Sequence, residues 1–153
     1  MVDDLEAFRD GSEQERAAVS VAIIRDALVF EFEGTAFGIE ARHVEGVIAY
    51  RPPAPIPQGN PGLRGVVQDT GRIISVLGHP AARAHVGGER VVRIVVCSSS
   101  KGLLGLPATG TSGVQSLSLA QIPDFLDVID TPGGAITWLE PDQVARVLLG
   151  ETG

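Results

Sequence analysis

Seven consecutive residues, Val91-Val92-Arg93-Ile94-Val95-Val96-Cys97, constrain the fold more than any others in the chain. β-Branched side chains are stiff at χ1 and crowd the preceding turn of a helix, but they pack well on a pleated surface. The run is therefore read as a strand. Shorter apolar runs lie on both sides of it. Residues 27–32 (A-L-V-F-E-F) alternate, turn at Gly34-Thr35 and return through residues 36–39, which is a hairpin pattern. Residues 65–67 and 73–76 flank Asp69-Thr70-Gly71, a second tight turn. Residues 98–102 turn the strong strand into residues 103–106. Further strands are expected at 114–117 and 135–139. Residues 41–47 read as a short helical turn ended by Gly46, followed by the strand-like Val47-Ile48.

The connections carry their own signals. Between residues 51 and 57, Pro52, Pro53, Pro55 and Pro57 have no N–H to give to a ladder, so this stretch reads as an extended surface loop. Residues 80–90 are rich in Ala, Gly and Arg and read as a loop with one helical turn. Two helices are expected. Ser12 with Glu15 makes a capping-box pattern before Ala17-Ala18-Val19. Near the other end Pro141 suits a first helical turn, and Val144, Val147 and Leu148 share a face before Gly150. Many short strands with one clear terminal helix point to an all-β barrel or sandwich, not to a βαβ fold.

Composition narrows function as well as fold. A chain of 153 residues is one domain or two small ones, and 44% hydrophobic with 20% charged residues excludes wholesale disorder. Aromatics are only 5%, so the core must be mostly aliphatic. The net charge of −7 argues against binding a nucleic-acid backbone. The acidity sits at the ends: residues 1–16 hold six acids against Arg9 and Arg16, and residues 124–153 hold six against Arg146. Residues 1–20 are expected to be an acidic, loosely ordered segment. The acidic start is unlike a signal peptide, and Gly, Pro, Ser, Thr and Gln interrupt the uncharged stretch 102–123, so no membrane insertion and a cytoplasmic location are expected.

Chemistry finds little support. Asp69-Thr70-Gly71 is the sharpest catalytic-looking triplet, because Asp-Thr-Gly between apolar strands marks aspartic proteases. One copy per chain would require a homodimer whose paired carboxylates share a proton. Gln68 before it and Arg72 after it do not suit that role, and Asp and Gly are favoured turn residues. The lone Cys97 excludes an intramolecular disulfide. It reads as a buried structural thiol, since His43, His79 and His85 sit in no recognisable thiol-protease context. His79 and His85 have no third ligand, so no metal site is expected. No phosphate-binding glycine motif and no G-x-S-x-G occurs, and no cofactor is implied.

One ordered set of features resembles a known family. Leu28-Val29-Phe30-Glu31-Phe32, Gly34, Phe37-Gly38-Ile39, Val44-Glu45-Gly46-Val47-Ile48 and a Pro-rich loop ending at Pro57 resemble the start of a CheW-like domain. The stretch from Gly65 to Val76 is similar to that family's G-V-[IT]-N-L-R-G-x-[IV]-[IV]-P-V strand pair. Arg93-Ile94-Val95-Val96, Gly105-Leu106 and Gly113-Val114 fit its later strands. The resemblance covers residues 27–148 and implies a CheW-like domain over residues 21–150. It implies two packed five-stranded SH3-like β-barrels with a C-terminal helix, and no active site. It further implies an adaptor between chemoreceptors (methyl-accepting chemotaxis proteins) and the regulatory domain of a CheA-type histidine kinase, recruited to chemosensory arrays. Partner contacts are expected at Val44, Gly46, Val47, Ile56, Leu63, Gly65, Val67, Thr70 and Gly71.

Several polar positions depart from the family pattern. Its Arg is Thr70 here, its Asn is Gln68, its Pro is Ser75 and the following Asp is Gly78. The Glu of V-x-E-V is Gly46, a later Asp falls at Thr109, and the segment between Ile122 and Phe125 is shorter. A threonine hydroxyl cannot replace the planar, two-pronged contact of a guanidinium. The resemblance therefore implies an accessory adaptor, with receptor contact kept and kinase contact weakened.

Overall fold

The computed structural model describes residues 22–57, 61–78 and 90–150. The expected N-terminal helix after Ser12, the looseness of residues 1–20, and His79, His85 and the loop around them lie outside the described residues. Among these described residues, ten strands and one α-helix follow in order. They are β1 (Ile23–Phe32), β2 (Thr35–Glu40), β3 (Val44–Ala49), β4 (Leu63–Asp69), β5 (Arg72–Leu77), β6 (Arg93–Ser99), β7 (Gly102–Ala108), β8 (Gly110–Leu119), β9 (Val128–Thr131), β10 (Gly134–Leu139) and α1 (Pro141–Leu149). A single 3-10 turn, Ala41–His43, joins β2 to β3.

The strands form two five-stranded sheets, ordered β8-β1-β2-β10-β9 and β3-β6-β7-β5-β4. Pairing is antiparallel except between β2 and β10 and between β5 and β7. Both early hairpins close through two-residue loops, Glu33-Gly34 and Thr70-Gly71, flanked by the pairs Phe32↔Thr35 and Asp69↔Arg72. All four loop residues have positive φ (53°, 83°, 47° and 80°), the geometry that matches the twist of a hairpin. The first turn therefore sits one residue earlier than Gly34-Thr35.

Three apolar clusters explain the strand sequences. One lies within the first sheet around Ala27, Leu117, Leu119 and Trp138. A second lies within the other sheet around Val67, Ile74, Val76, Ile94 and Val96. The largest joins the two sheets. Leu28, Phe30, Phe32, Phe37 and Ile39 come from the first, Val95, Cys97, Leu104 and Leu106 from the second, and Val144 and Ala145 from α1. Strands between two cores are buried on both faces and lose their alternation. This accounts for the unbroken buried runs at residues 27–30, 94–97 and 104–108.

Helix α1 starts at Pro141, and the Glu140 side chain accepts a hydrogen bond from the Gln143 N–H at 2.9 Å. Gly150, with φ 81°, ends it and donates its N–H to the Arg146 carbonyl. The packed stripe is Pro141, Val144, Ala145 and half-buried Leu148. Val147 lies outside that stripe and is exposed, which corrects its expected place beside Val144 and Leu148. Asp142 accepts the Ser100 N–H at 2.7 Å, so the β6–β7 turn is pinned to the start of the helix. That hydrogen bond holds the Asp142 carboxyl below the usual carboxylate range.

Candidate functional site

One face of the edge strand β3 is built by a break in register. Val44 pairs with Cys97 and Gly46 with Val96, so Glu45 is an extra residue in the ladder. Val47 then pairs with Val95. Paired residues point to the same side of a sheet, and Cys97 and Val95 are two apart. The bulge thus puts Val44 and Val47 on one face, where simple alternation would have separated them. Val44 is half-buried against the inter-sheet core, and Val47 stays 38% exposed beside it. Gly46 faces the other way, and a Cβ there would meet nothing within 4 Å.

Next to this face lies the tip of the β4–β5 hairpin. Arg51 donates to the Gln68 carbonyl at 2.9 Å and to Asp69 Oδ1 at 3.1 Å. Arg72 reaches Glu45 on β3 and Asp69 Oδ2, each at 3.8 Å, while its Nε is buried with no hydrogen-bond partner among the described residues. The Thr70 hydroxyl donates to its neighbour's carbonyl, that of Asp69, at 2.7 Å. Both Asp69 oxygens are thus engaged by guanidinium groups of the same chain. A shared-proton dyad needs a second carboxylate in that place, so this geometry lends the protease alternative nothing.

Thr70 is a β-branched residue held at φ 47°, a conformation that disfavours such side chains. Asparagine tolerates it far better. Thr70→Asn should therefore raise stability by about 0.5–1 kcal/mol, read as a higher urea midpoint at unchanged slope.

The Pro-rich loop is stitched to β4 at its one non-proline position between Pro53 and Pro55. The Ala54 N–H donates to the Val66 carbonyl at 2.8 Å, and the Val66 N–H donates back at 2.9 Å. Gly65 lies buried beneath this pair with φ 147°. A Cβ there would strike the Ala54 carbonyl. Ile56, farther along the loop, is exposed.

The expected contact residues therefore divide. Val47, Ile56, Thr70 and Gly71 are exposed. Val44, Gly46 and Leu63 are half-buried, the first and last against the inter-sheet core. Val67 is buried among Ile74, Val76, Ile94 and Val96, because it alternates with Val66 and Gln68 on β4 and takes the inward side. Its side chain serves the core, and Gly65 serves the loop crossing. Ile73, 60% exposed, is an apolar surface residue that sequence reading missed. The signal was present in the doublet Ile73-Ile74, since two neighbours on a strand point to opposite faces and the tip of a hairpin has a core on one face only.

Cys97 is fully buried, and burial, with a smaller contribution from the Glu140 charge, pushes its thiol from 9.0 up to about 12. In the native state it should give no reaction with a thiol reagent at pH 8, and full reaction after urea unfolding. The raised value makes a stabilising contribution that is complete below about pH 9 and is lost as pH rises toward about 12. Among the described residues, no three His, Cys, Asp or Glu side chains are placed to hold a metal ion. No helix among them is long and apolar enough to cross a membrane.

Comparison with known proteins gives two findings. The family model described as the CheW-like domain matches residues 26–151. The fold is similar to the crystal structure of the scaffolding protein TtCheW from Thermoanaerobacter tengcongensis. That similarity has a TM-score of 0.65 at 15% identity, over 84% of this chain and 97% of that one. No curated protein matches by sequence. The family match spans both sheets and the helix, and with it the chain belongs to the CheW-like domain family of chemotaxis scaffolds and adaptors.

Proposed function

We propose that this chain is a non-catalytic accessory adaptor of a bacterial chemosensory complex, one that keeps its chemoreceptor contact and has a weakened contact with a CheA-type histidine kinase. The observation that carries this reading is the contrast between two neighbouring surfaces. On β3, the bulge at Glu45 presents Val47 beside an anchored Val44, an apolar face suited to a helical receptor tip. At the hairpin tip, Thr70 is short, turned onto its own backbone, and offers no guanidinium. The nearby Arg51 and Arg72 are occupied by Asp69 and Glu45. Losing one partner of a buried charge pair typically weakens a complex by about 2–5 kcal/mol.

Such a protein works in the cytoplasm, recruited to arrays through the receptor, and needs no cofactor. Among named members, the reading suggests an accessory adaptor of the kind of FrzB, from a gliding-motility system.

Calorimetry against two purified partners tests the reading. A receptor cytoplasmic hairpin should bind the unmodified chain and fail to bind Val47→Asp, a substitution at an exposed site that spares the core. The kinase regulatory domain should bind more weakly than micromolar. Thr70→Arg should not restore that complex, because Gly46, Gly78, Thr109 and the segment before Phe125 differ as well. A micromolar or tighter kinase complex, worth about −8 kcal/mol, would make the chain a full coupler of both partners.

A further inference from the structure

The two sheets leave four strands at their edges, β8 and β9 in the first and β3 and β4 in the second. An edge strand offers unpaired N–H and C=O groups to any other strand, and proteins usually blunt it. Three of these edges are blunted. β3 carries the bulge at Glu45 and that residue's charge. β4 carries Arg64 and Asp69, and the Pro-rich loop covers it at Val66. β9 is four residues long and contains Asp130.

β8 has none of these devices over most of its length. Its ten residues, Gly110–Leu119, hold no charge and no proline. The register break against β1 falls at Ser112, which leaves residues 114–119 as an unbroken ladder. Among the described residues that ladder runs to β1 alone. A hollow of about 400 Å³ lies between residues 118–121 and β9, so the sheet does not close on itself there.

We propose that β8 pairs antiparallel with β8 of a second copy of this chain, about a two-fold axis through Ser116. An uncharged strand can lie beside itself, whereas like charges directly opposite each other destabilise a pair. A two-fold axis normal to the sheet keeps each face on its own side, so exposed residues meet exposed residues. Centring on Ser116 sets Val114, 63% exposed, against Ser118 of the second copy, and the two Ser116 residues face each other. Of the β1 residues opposite 114–118, Asp26 is the one acid, and it accepts the Ser116 hydroxyl at 2.8 Å. The two Asp26 side chains lie three strand spacings apart, about 14 Å. That exceeds the Debye length of about 8 Å at physiological salt, so their repulsion is largely screened. The pairing joins two first sheets into one of ten strands. The face of β3 built by the bulge and the β4–β5 hairpin tip belong to the other sheet, so a pair of copies presents each surface twice.

Sedimentation and disulfide trapping of the full chain test this. The unmodified chain, 16.0 kDa as one copy, should rise toward twice that mass as concentration increases. Val114→Lys with Ser118→Lys sets like charges opposite each other and should abolish the rise, as should Val114→Glu with Ser118→Glu. An equal mixture of those two variants should restore it, which separates lost pairing from lost folding. Cys97 is fully buried, so an added surface thiol reacts alone. Ser116→Cys should be trapped as a covalent pair by mild oxidant, because directly opposed residues have Cα atoms about 4.5–5.5 Å apart, within disulfide reach. Val114→Cys, also exposed, should not, since the two copies of residue 114 stand four positions apart along the ladder, about 13 Å. A mass that stays at one copy across the whole concentration series would overturn the proposal. So would association that survives the paired lysines, a mixture that fails to associate, or trapping at residue 114 as fast as at residue 116.

Discussion

Replacing Phe30 by alanine should lower stability by about 3–5 kcal/mol, enough to remove much of what a domain of this size has. Phe30 is fully buried in β1, and its ring lies 5.8 Å from that of Phe37 at an interplanar angle of 30°. It belongs to the cluster that joins the two sheets, so its removal opens a cavity between units rather than inside one. Each sheet also has its own small cluster, built from four or five buried side chains. Those clusters cannot move to fill the space without pulling their own sheets apart. The chain has only five phenylalanines, and four of them lie in this place: Phe30, Phe32 and Phe37 are buried in it, and Phe125 packs against it half-buried. Urea titration followed by Trp138 fluorescence measures the effect. Val114→Ala, at a 63% exposed position, should change stability by less than about 0.5 kcal/mol. A loss below about 1 kcal/mol for Phe30→Ala would mean that the sheets are held by something other than this cluster.

Much of the fold was legible because turn chemistry and β-branching are local. The turn at Thr70-Gly71, a turn within one residue of its true place at Gly34, the run through Val96, and Pro141 at the start of a helix each rest on signals that act within a few residues. The two-barrel arrangement came from the family resemblance, since periodicity alone distinguishes neither barrel from sandwich nor one core from three. Strand β9 was missed because Val128-Ile129-Asp130-Thr131 is short, lies at a sheet edge, and half-buries only Ile129 and Thr131. The early start of β1 was missed because residues 23–26 place exposed and half-buried side chains in turn, with Arg25 paired to Glu40. The site was less legible for a clear reason. Val44 and Val47 share a face only through the bulge at Glu45, a feature that depends on pairing with β6, some fifty residues away. The burial of Val67 and the exposure of Ile73 depend on which side of the β4–β5 hairpin faces the core, and apolar residues stand on both sides of it.

Two glycines expected at the partner surface, Gly46 and Gly65, should respond oppositely to the same substitution. Gly46→Ala should change stability by less than about 0.5 kcal/mol, because its Cβ enters open space. Gly65→Ala should lower stability by about 2–4 kcal/mol. The backbone at Gly65 has φ 147°, which an L side chain rarely adopts, and the new Cβ would meet the Ala54 carbonyl and Pro53. Relief requires the Pro-rich loop to lift. That breaks both hydrogen bonds between Ala54 and Val66, which among the described residues are where this stretch joins a ladder. Hydrogen exchange at those two amides should then accelerate by much more than at Val95 in the core. The loop carries Ile56 and leads from Arg51, whose guanidinium holds Asp69 at the hairpin tip. If the proposed receptor contact uses this surface, Gly65 acts on it from beneath, as a positioning residue with no side chain to offer. A receptor complex weakened by Gly65→Ala, in a variant whose core exchange is still slow, matches that role. Unchanged exchange at Ala54 and Val66 would show that the loop is held elsewhere.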